Sequence, residues 1–281
     1  MTDNLMLRVA GRPVAEYVVH PDVDPRYSPR PYLHPVRTLA GVPVTDTLPE
    51  DHRWHLGVSV TMQDVSGTNL WGGRTYVRDA GYTWRDDHGR IVHDSWLDRA
   101  PDGFRQRLRW CDPAGATLLT EDRTVTVGEV AGHATAWRFE IGYSLTAPAD
   151  REIVLGSPAT NGRPGGAGYG GFFWRLAPGT PTVFTVDADG EEAVNGSTAP
   201  WVALTSQGAD GSPYTVVFTG LGDGDHWFVR ASGYPGVCAA LAFDTPVPVP
   251  AGGQLARRHR VYVVDGTLRR PDVVALLTAA E

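Results

Sequence analysis

A period of two runs through almost the whole chain. In Arg105-Gln106-Arg107-Leu108-Arg109-Trp110, Thr124-Val125-Thr126-Val127 and Trp137-Arg138-Phe139-Glu140-Ile141-Gly142-Tyr143, side chains alternate in character residue by residue. Successive side chains of a strand point to opposite faces of a sheet, so this alternation describes strands with one buried and one wet face. The same reading predicts strands at 7–9, 14–19, 58–62, 172–176, 183–186, 214–218, 226–230, 237–243 and 258–264. Turns such as Asp112-Pro113-Ala114-Gly115, Asp189-Gly190, Asp210-Gly211 and Asp223-Gly224 interrupt them, drawn from a pool of 33 glycines and 22 prolines. No repeat with a period of about 20 to 50 residues is visible, which argues against a propeller or solenoid. The expected fold is all-β: a large antiparallel β-sandwich formed by residues 1–281 as a single domain, with few short helices. One helix is expected at the C-terminus, begun by Pro271 and Asp272 and continued by the apolar Val273-Val274-Ala275-Leu276-Leu277, packing as a terminal plug.

With 281 residues, 42% of them hydrophobic, and nine tryptophans, the chain can bury a sizeable core. Its 25 basic and 32 acidic residues give a net charge of −7, which argues against a nucleic-acid groove, because phosphate neutralisation needs a positive face. Every basic residue is an arginine, so Schiff-base chemistry and lysine general bases are excluded. Cys111 and Cys238 each lack a second thiol at zinc-ligand spacing. Met1-Thr2-Asp3-Asn4-Leu5 shows no basic segment leading into an apolar run, and no window approaches the roughly 18 to 20 apolar residues of a membrane span. The expectation is a soluble, cytoplasmic protein with no membrane partner; homo-oligomerisation is left open.

Polar chemistry is concentrated early. Arg30 to Arg37 is followed by Glu50-Asp51-His52-Arg53-Trp54-His55-Leu56-Gly57 and then by Asp64-Val65-Ser66-Gly67-Thr68-Asn69-Leu70-Trp71. Histidine suits acid–base work near neutral pH because its unperturbed pKa is about 6.5. His52 and His55 share a face only in a helix or tight loop, and their order predicts His52 in a loop with His55 opening a strand that runs to Met62. His34 stands upstream, and three imidazoles form a set that zinc, iron or copper accepts. Asp64 lies in a polar turn, either capping backbone amides or working in catalysis. Asn69, Trp54 and Trp71 fit sugar recognition, since amides bind hydroxyls and aromatic faces stack on pyranose C–H groups. Arg37, Arg175 and Arg230 each interrupt an apolar run, as solvated edge residues or as inward clamps for anions and hydroxyls. The glycine-dense stretch from Asn161 to Gly171 lacks the ending of a phosphate loop and reads as a loop over a site or a turn before Phe172.

Five ordered blocks, Arg30 to Tyr32, Asp51 to Gly57, Asp64 to Trp71, Gly170 to Arg175 and Trp227 to Gly233, resemble the bacterial PmoA-like family. That family carries a legacy label of methane oxygenase and is treated as a domain of unknown function. The resemblance implies a galactose-mutarotase-like supersandwich and, through association with sugar oxidoreductases, carbohydrate metabolism. Methane oxidation is excluded by the lack of any membrane span. His52, His55, Asp64, Arg175 and Arg230 match the family pattern, whereas Trp54, Leu56, Asn69, Phe228 and Ala231 depart from it.

Together these readings predict an enzyme acting on a carbohydrate or (keto-)glycoside as an epimerase, eliminating lyase or hydrolase. The catalytic residues would be His52 and His55 as acid and base, Asp64 to orient one of them, and His34. Arg37, Trp54, Asn69, Trp71, Arg175 and Arg230 would bind substrate, and no cofactor is required. Two alternatives stand beside this reading: a non-catalytic sugar-binding module, and a lyase or oxygenase holding a divalent transition metal on His34, His52 and His55.

Overall fold

The computed structural model describes residues 4–279 and is a β-sandwich of two large antiparallel sheets. In the seven-stranded sheet the spatial order is Leu5–Val9, Arg12–Val18, Tyr32–Val36, Val58–Met62, Gly170–Arg175, Gly236–Ala240, His226–Arg230. In the eight-stranded sheet it is Thr182–Phe184, Trp201–Gln207, Pro213–Thr219, Gln254–Asp265, Ala136–Thr146, Thr117–Glu129, Gly103–Cys111, Arg90–Ala100. Smaller sheets of three and two strands complete the set, the latter a hairpin of Thr75–Val77 and Gly81–Thr83. Met1 to Asp3, part of the opening segment read above, lie outside the described residues. No helix among the described residues is long and apolar enough to cross a membrane.

Alternation sorts the side chains between faces. Phe172 and Trp174 point between the sheets, where Phe139 approaches them with ring centroids at 6.2 and 6.0 Å and Phe218 lies 5.5 Å from Trp174. Their neighbours Phe173 and Arg175 therefore face the other way, and so do Phe228 and Arg230 on the strand where Trp227 and Val229 join the core. The outer face of the seven-stranded sheet consequently carries aromatic and cationic side chains. On the outer face of the eight-stranded sheet lies the C-terminal helix, Arg270–Ala279, which packs Val273 and Leu276 beside Phe184, Trp201 and Tyr262.

Within the sandwich lies a polar network. Arg123, fully buried, donates to both carboxylate oxygens of Glu121 at 2.6 and 2.9 Å and to the Tyr17 hydroxyl at 3.2 Å. Trp110 Nε1 donates to the same carboxylate at 2.7 Å, and Gln106 donates to Tyr17. The segment 105–110 thus sends Gln106, Leu108 and Trp110 inward and its three arginines outward.

His259 also sits between the sheets, stacked on Phe172 at 5.1 Å with its Nδ1 buried and unpartnered. Burial pushes its pKa down to about 4. The unfolded chain then binds a proton that the folded chain refuses, so stability is full above the ordinary histidine value and falls as pH drops toward 4. The difference amounts to about 3 kcal/mol. Urea midpoints should therefore fall between about pH 7 and about pH 5 in the natural protein, and fall less in His259→Phe; equal losses in both would remove His259 as the cause.

Some strands differ from the alternation. Arg90–Ala100 was not expected as a strand because register shifts at His93/Ser95 and Trp96/Asp98 break its period. Trp201–Gln207 begins with four buried residues, since the sandwich core and the terminal helix cover its two faces, and so shows no alternation there.

Candidate functional site

A cleft of about 490 Å³ opens on the outer face of the seven-stranded sheet. Its floor is Phe173 and Phe228, the outward aromatic residues of two strands that flank Gly236–Ala240. Trp71 packs on Phe173 at 4.7 Å and on Tyr169 at 4.7 Å, while Trp54 and Trp84 meet edge to face at 6.4 Å higher on the wall. Tyr82, from the two-stranded hairpin, reaches Tyr169 with the two hydroxyls 3.0 Å apart.

The loop Asp51 to Gly57 supplies the titratable groups. His55 N–H donates to the His52 carbonyl at 2.8 Å, a tight turn that brings the two imidazoles together with centroids at 4.8 Å. Gly57 explains why the strand begins at Val58 and not at His55: its φ is +40°, and a Cβ there would lie 2.1 Å from the Leu33 carbonyl oxygen. His55 accordingly belongs to the loop and is buried beside Trp71, Phe173 and Tyr234. Burial, reinforced by the neighbouring His52 and Arg175, holds its pKa well below the ordinary histidine value, so His55 is a neutral imidazole.

His52 is partly open to the cleft, with the Tyr234 ring tilted against it at 4.4 Å. Its Nδ1 lies 2.9 Å from Asp51 Oδ2. That contact holds the Asp51 carboxyl below the usual carboxylate range. Arginines complete the lining: Arg230 sits 4.4 Å over Phe228 and 3.6 Å from Glu191, and Arg163 stacks 4.8 Å from the Tyr82 ring and donates to its hydroxyl.

Behind the wall, Arg30 fastens the loops. Completely buried, its guanidinium donates to the carbonyls of Trp54 at 2.9 Å, Trp71 at 3.0 Å and Ser28 at 3.1 Å. Among the described residues no carboxylate answers its charge, and desolvation lowers its pKa to about 9. Gly72 and Gly73, both at positive φ, let the Trp71 segment pass against Trp54; a Cβ on Gly73 would fall 2.5 Å from the indole.

Of the residues singled out from sequence, His52, His55, Trp54, Trp71 and Arg230 meet in this cleft. Others do not. Asp64 accepts from Gly67 N–H at 2.7 Å and from Asn161 Nδ2 at 2.9 Å, a turn cap that orients neither histidine. Asn69 is engaged internally: Oδ1 accepts from Trp71 and Gly72 N–H at 3.0 and 2.8 Å, and Nδ2 donates to Thr75 at 2.9 Å, so it shapes the Trp71 turn and lies outside this cleft. Arg37 donates to the Gly41 carbonyl at 3.2 Å on an edge. Arg175 lies behind the lining, ion-paired with Asp46 at 3.6 Å.

His34 also stands outside the cleft, its Nδ1 3.0 Å from Thr45 Oγ1. Among the described residues no three His, Cys, Asp or Glu side chains gather at metal-ligand spacing, so the alternative centre of His34, His52 and His55 does not assemble. Sequence reasoning missed Tyr234, Tyr82, Trp84 and Arg74, which loops and the hairpin bring in from a distance. Arg163 and Tyr169 belong to the glycine-dense stretch, whose composition did point to a loop at a site.

No curated protein matches the chain. Among solved structures it is similar to heparan sulfate lyase HepC from Pedobacter heparinus, at 12% identity and a TM-score of 0.29 over 64% of this chain and 22% of that one. It is also similar to a putative kojibiose phosphorylase from human microbiome, at 10% identity and a TM-score of 0.33 over 70% of this chain and 25% of that one. The chain thus spans about a quarter or less of either protein's length. A family model matches residues 4–278, nearly the full length, and by that match the chain belongs to the family of unknown function DUF6807.

Proposed function

We propose that the cleft binds a carbohydrate or glycoside and carries out acid–base chemistry on it, as an epimerase, eliminating lyase or hydrolase. One observation carries this reading: His52, held against Asp51 at 2.9 Å, opens into a cleft walled by indole and phenol rings. Flat aromatic faces offer apolar surface to pyranose C–H groups, and the rings of Trp54, Trp71 and Trp84 supply it. With Nδ1 facing Asp51, Nε2 is the nitrogen left to exchange a proton with substrate, and the carboxylate stabilises the imidazolium formed when it accepts one. His55, neutral, packs under His52 without adding a competing charge. Arg163 and Arg230 supply positive charge where an oxyanion or enediolate develops. The resemblance to PmoA-like proteins favours the same substrate class.

The role expected of Asp64 passes to Asp51 in this scheme. The test is incubation with a panel of glycosides and 3-keto-glycosides, followed by mass spectrometry and NMR for epimerised, eliminated or hydrolysed product, with tryptophan fluorescence reporting binding. Conversion of a bound glycoside is the expected result. Binding without conversion would replace the enzyme by a sugar-binding module, and absence of both would end the carbohydrate reading.

A further inference from the structure

The cleft carries a charge opposite to that of the chain. Arg74, Arg163 and Arg230 line it against the single carboxylate of Asp51, in a protein whose net charge is −7. Two of these cations, Arg74 and Arg163, have no carboxylate partner among the described residues. Arg74 is exposed and, among the described residues, has neither a hydrogen bond nor an ion pair. Among the described residues Arg163 meets the ring and hydroxyl of Tyr82 and no carboxylate. Arg230 donates to the Val229 carbonyl at 2.8 Å and pairs with Glu191 at 3.6 Å. Behind the lining, Arg175 is 3% exposed and is answered by Asp46 at 3.6 Å, so the unanswered charge of the cleft is that of its own lining. Arginine forks match planar, two-oxygen anions, and a low-dielectric cleft lined by one sign of charge concentrates ligands of the other.

We propose that the sugar taken by this cleft is anionic, a glycoside bearing a carboxylate or a sulfate ester, with Arg163 and Arg74 supplying its counter-charge. The proposal rests on the carbohydrate reading above and narrows it. A neutral sugar would leave the guanidinium groups of Arg74 and Arg163 facing it with no carboxylate among the described residues to neutralise them. An anionic one satisfies them and leaves Asp51 to His52.

The experiment compares matched methyl glycosides in the gluco, galacto and manno series: the neutral sugar, its uronate and its 6-sulfate, titrated against the full chain by calorimetry and saturation-transfer NMR. In at least one series an anionic member should bind about tenfold or more tighter than its neutral partner. That preference should shrink as salt shortens the Debye length from about 10 to about 3 Å. It should also shrink in Arg74→Gln, an exposed unpaired side chain whose removal leaves the fold intact, and further in Arg163→Gln. Preference for the uronate over the sulfate identifies a carboxylate, and the reverse order a sulfate ester. Neutral members binding as tightly as anionic ones would overturn the proposal while leaving the carbohydrate reading in place. No binding by any member would remove both.

Discussion

His52→Ala is expected to reduce turnover of a converted glycoside by about 10²- to 10⁴-fold while changing its affinity by no more than a few-fold. The expectation follows from position. The side chain is partly exposed and its ring packs on His55 and Tyr234, so truncation widens the cleft without opening the core between the sheets. Asp51→Asn should lose less, because it removes the stabilising charge and leaves the imidazole. Steady-state kinetics with separate kcat and KM, alongside ligand titration, decides the matter. Undiminished kcat in His52→Ala would take His52 out of the chemistry; parallel loss of affinity and rate would make it a binding residue only.

Glu121→Ala should destabilise the fold by about 3–5 kcal/mol, because it strands the Arg123 guanidinium in the interior. Arg123 is 2% exposed, and among the described residues its only carboxylate partner is the one removed. Trp110 Nε1 loses its acceptor in the same step. Replacing the pair together, Glu121→Leu with Arg123→Met, removes both charges and should recover most of the loss, since buried ion pairs are often no more stabilising than apolar groups of similar volume. Urea unfolding of the two variants separates the pair's net contribution from the penalty of breaking it. A Glu121→Ala midpoint close to that of the natural chain would mean that water reaches Arg123.

The all-β class and the face assignments were legible because alternation is a local property. Phe173 and Phe228 can be placed on the face opposite Trp174 and Trp227 from spacing alone, but spacing does not say which part of that face is hollow. The loop from Asp51 to Gly57 stood out by its residue types, and its histidines and indole do line the cleft. Asp64 and Asn69 misled because a turn residue that caps amides is built from the same side chains as one that binds hydroxyls; only the positions of Gly67, Trp71 and Gly72 tell them apart. Tyr234 sits four residues after Arg230, in a turn leading to Gly236–Ala240, where no periodic pattern marks it. Tyr82 and Trp84 enter from a hairpin whose approach to the sheet depends on long-range packing.

Arg30 grips Trp54 and Trp71 by their main-chain carbonyls, which every amino acid possesses, and never by their indoles. The frame of the pocket is therefore indifferent to which side chains it displays at those two stations. Ligand preference can drift, or be redirected in the laboratory, by exchanging those rings while the underlying architecture is inherited unchanged.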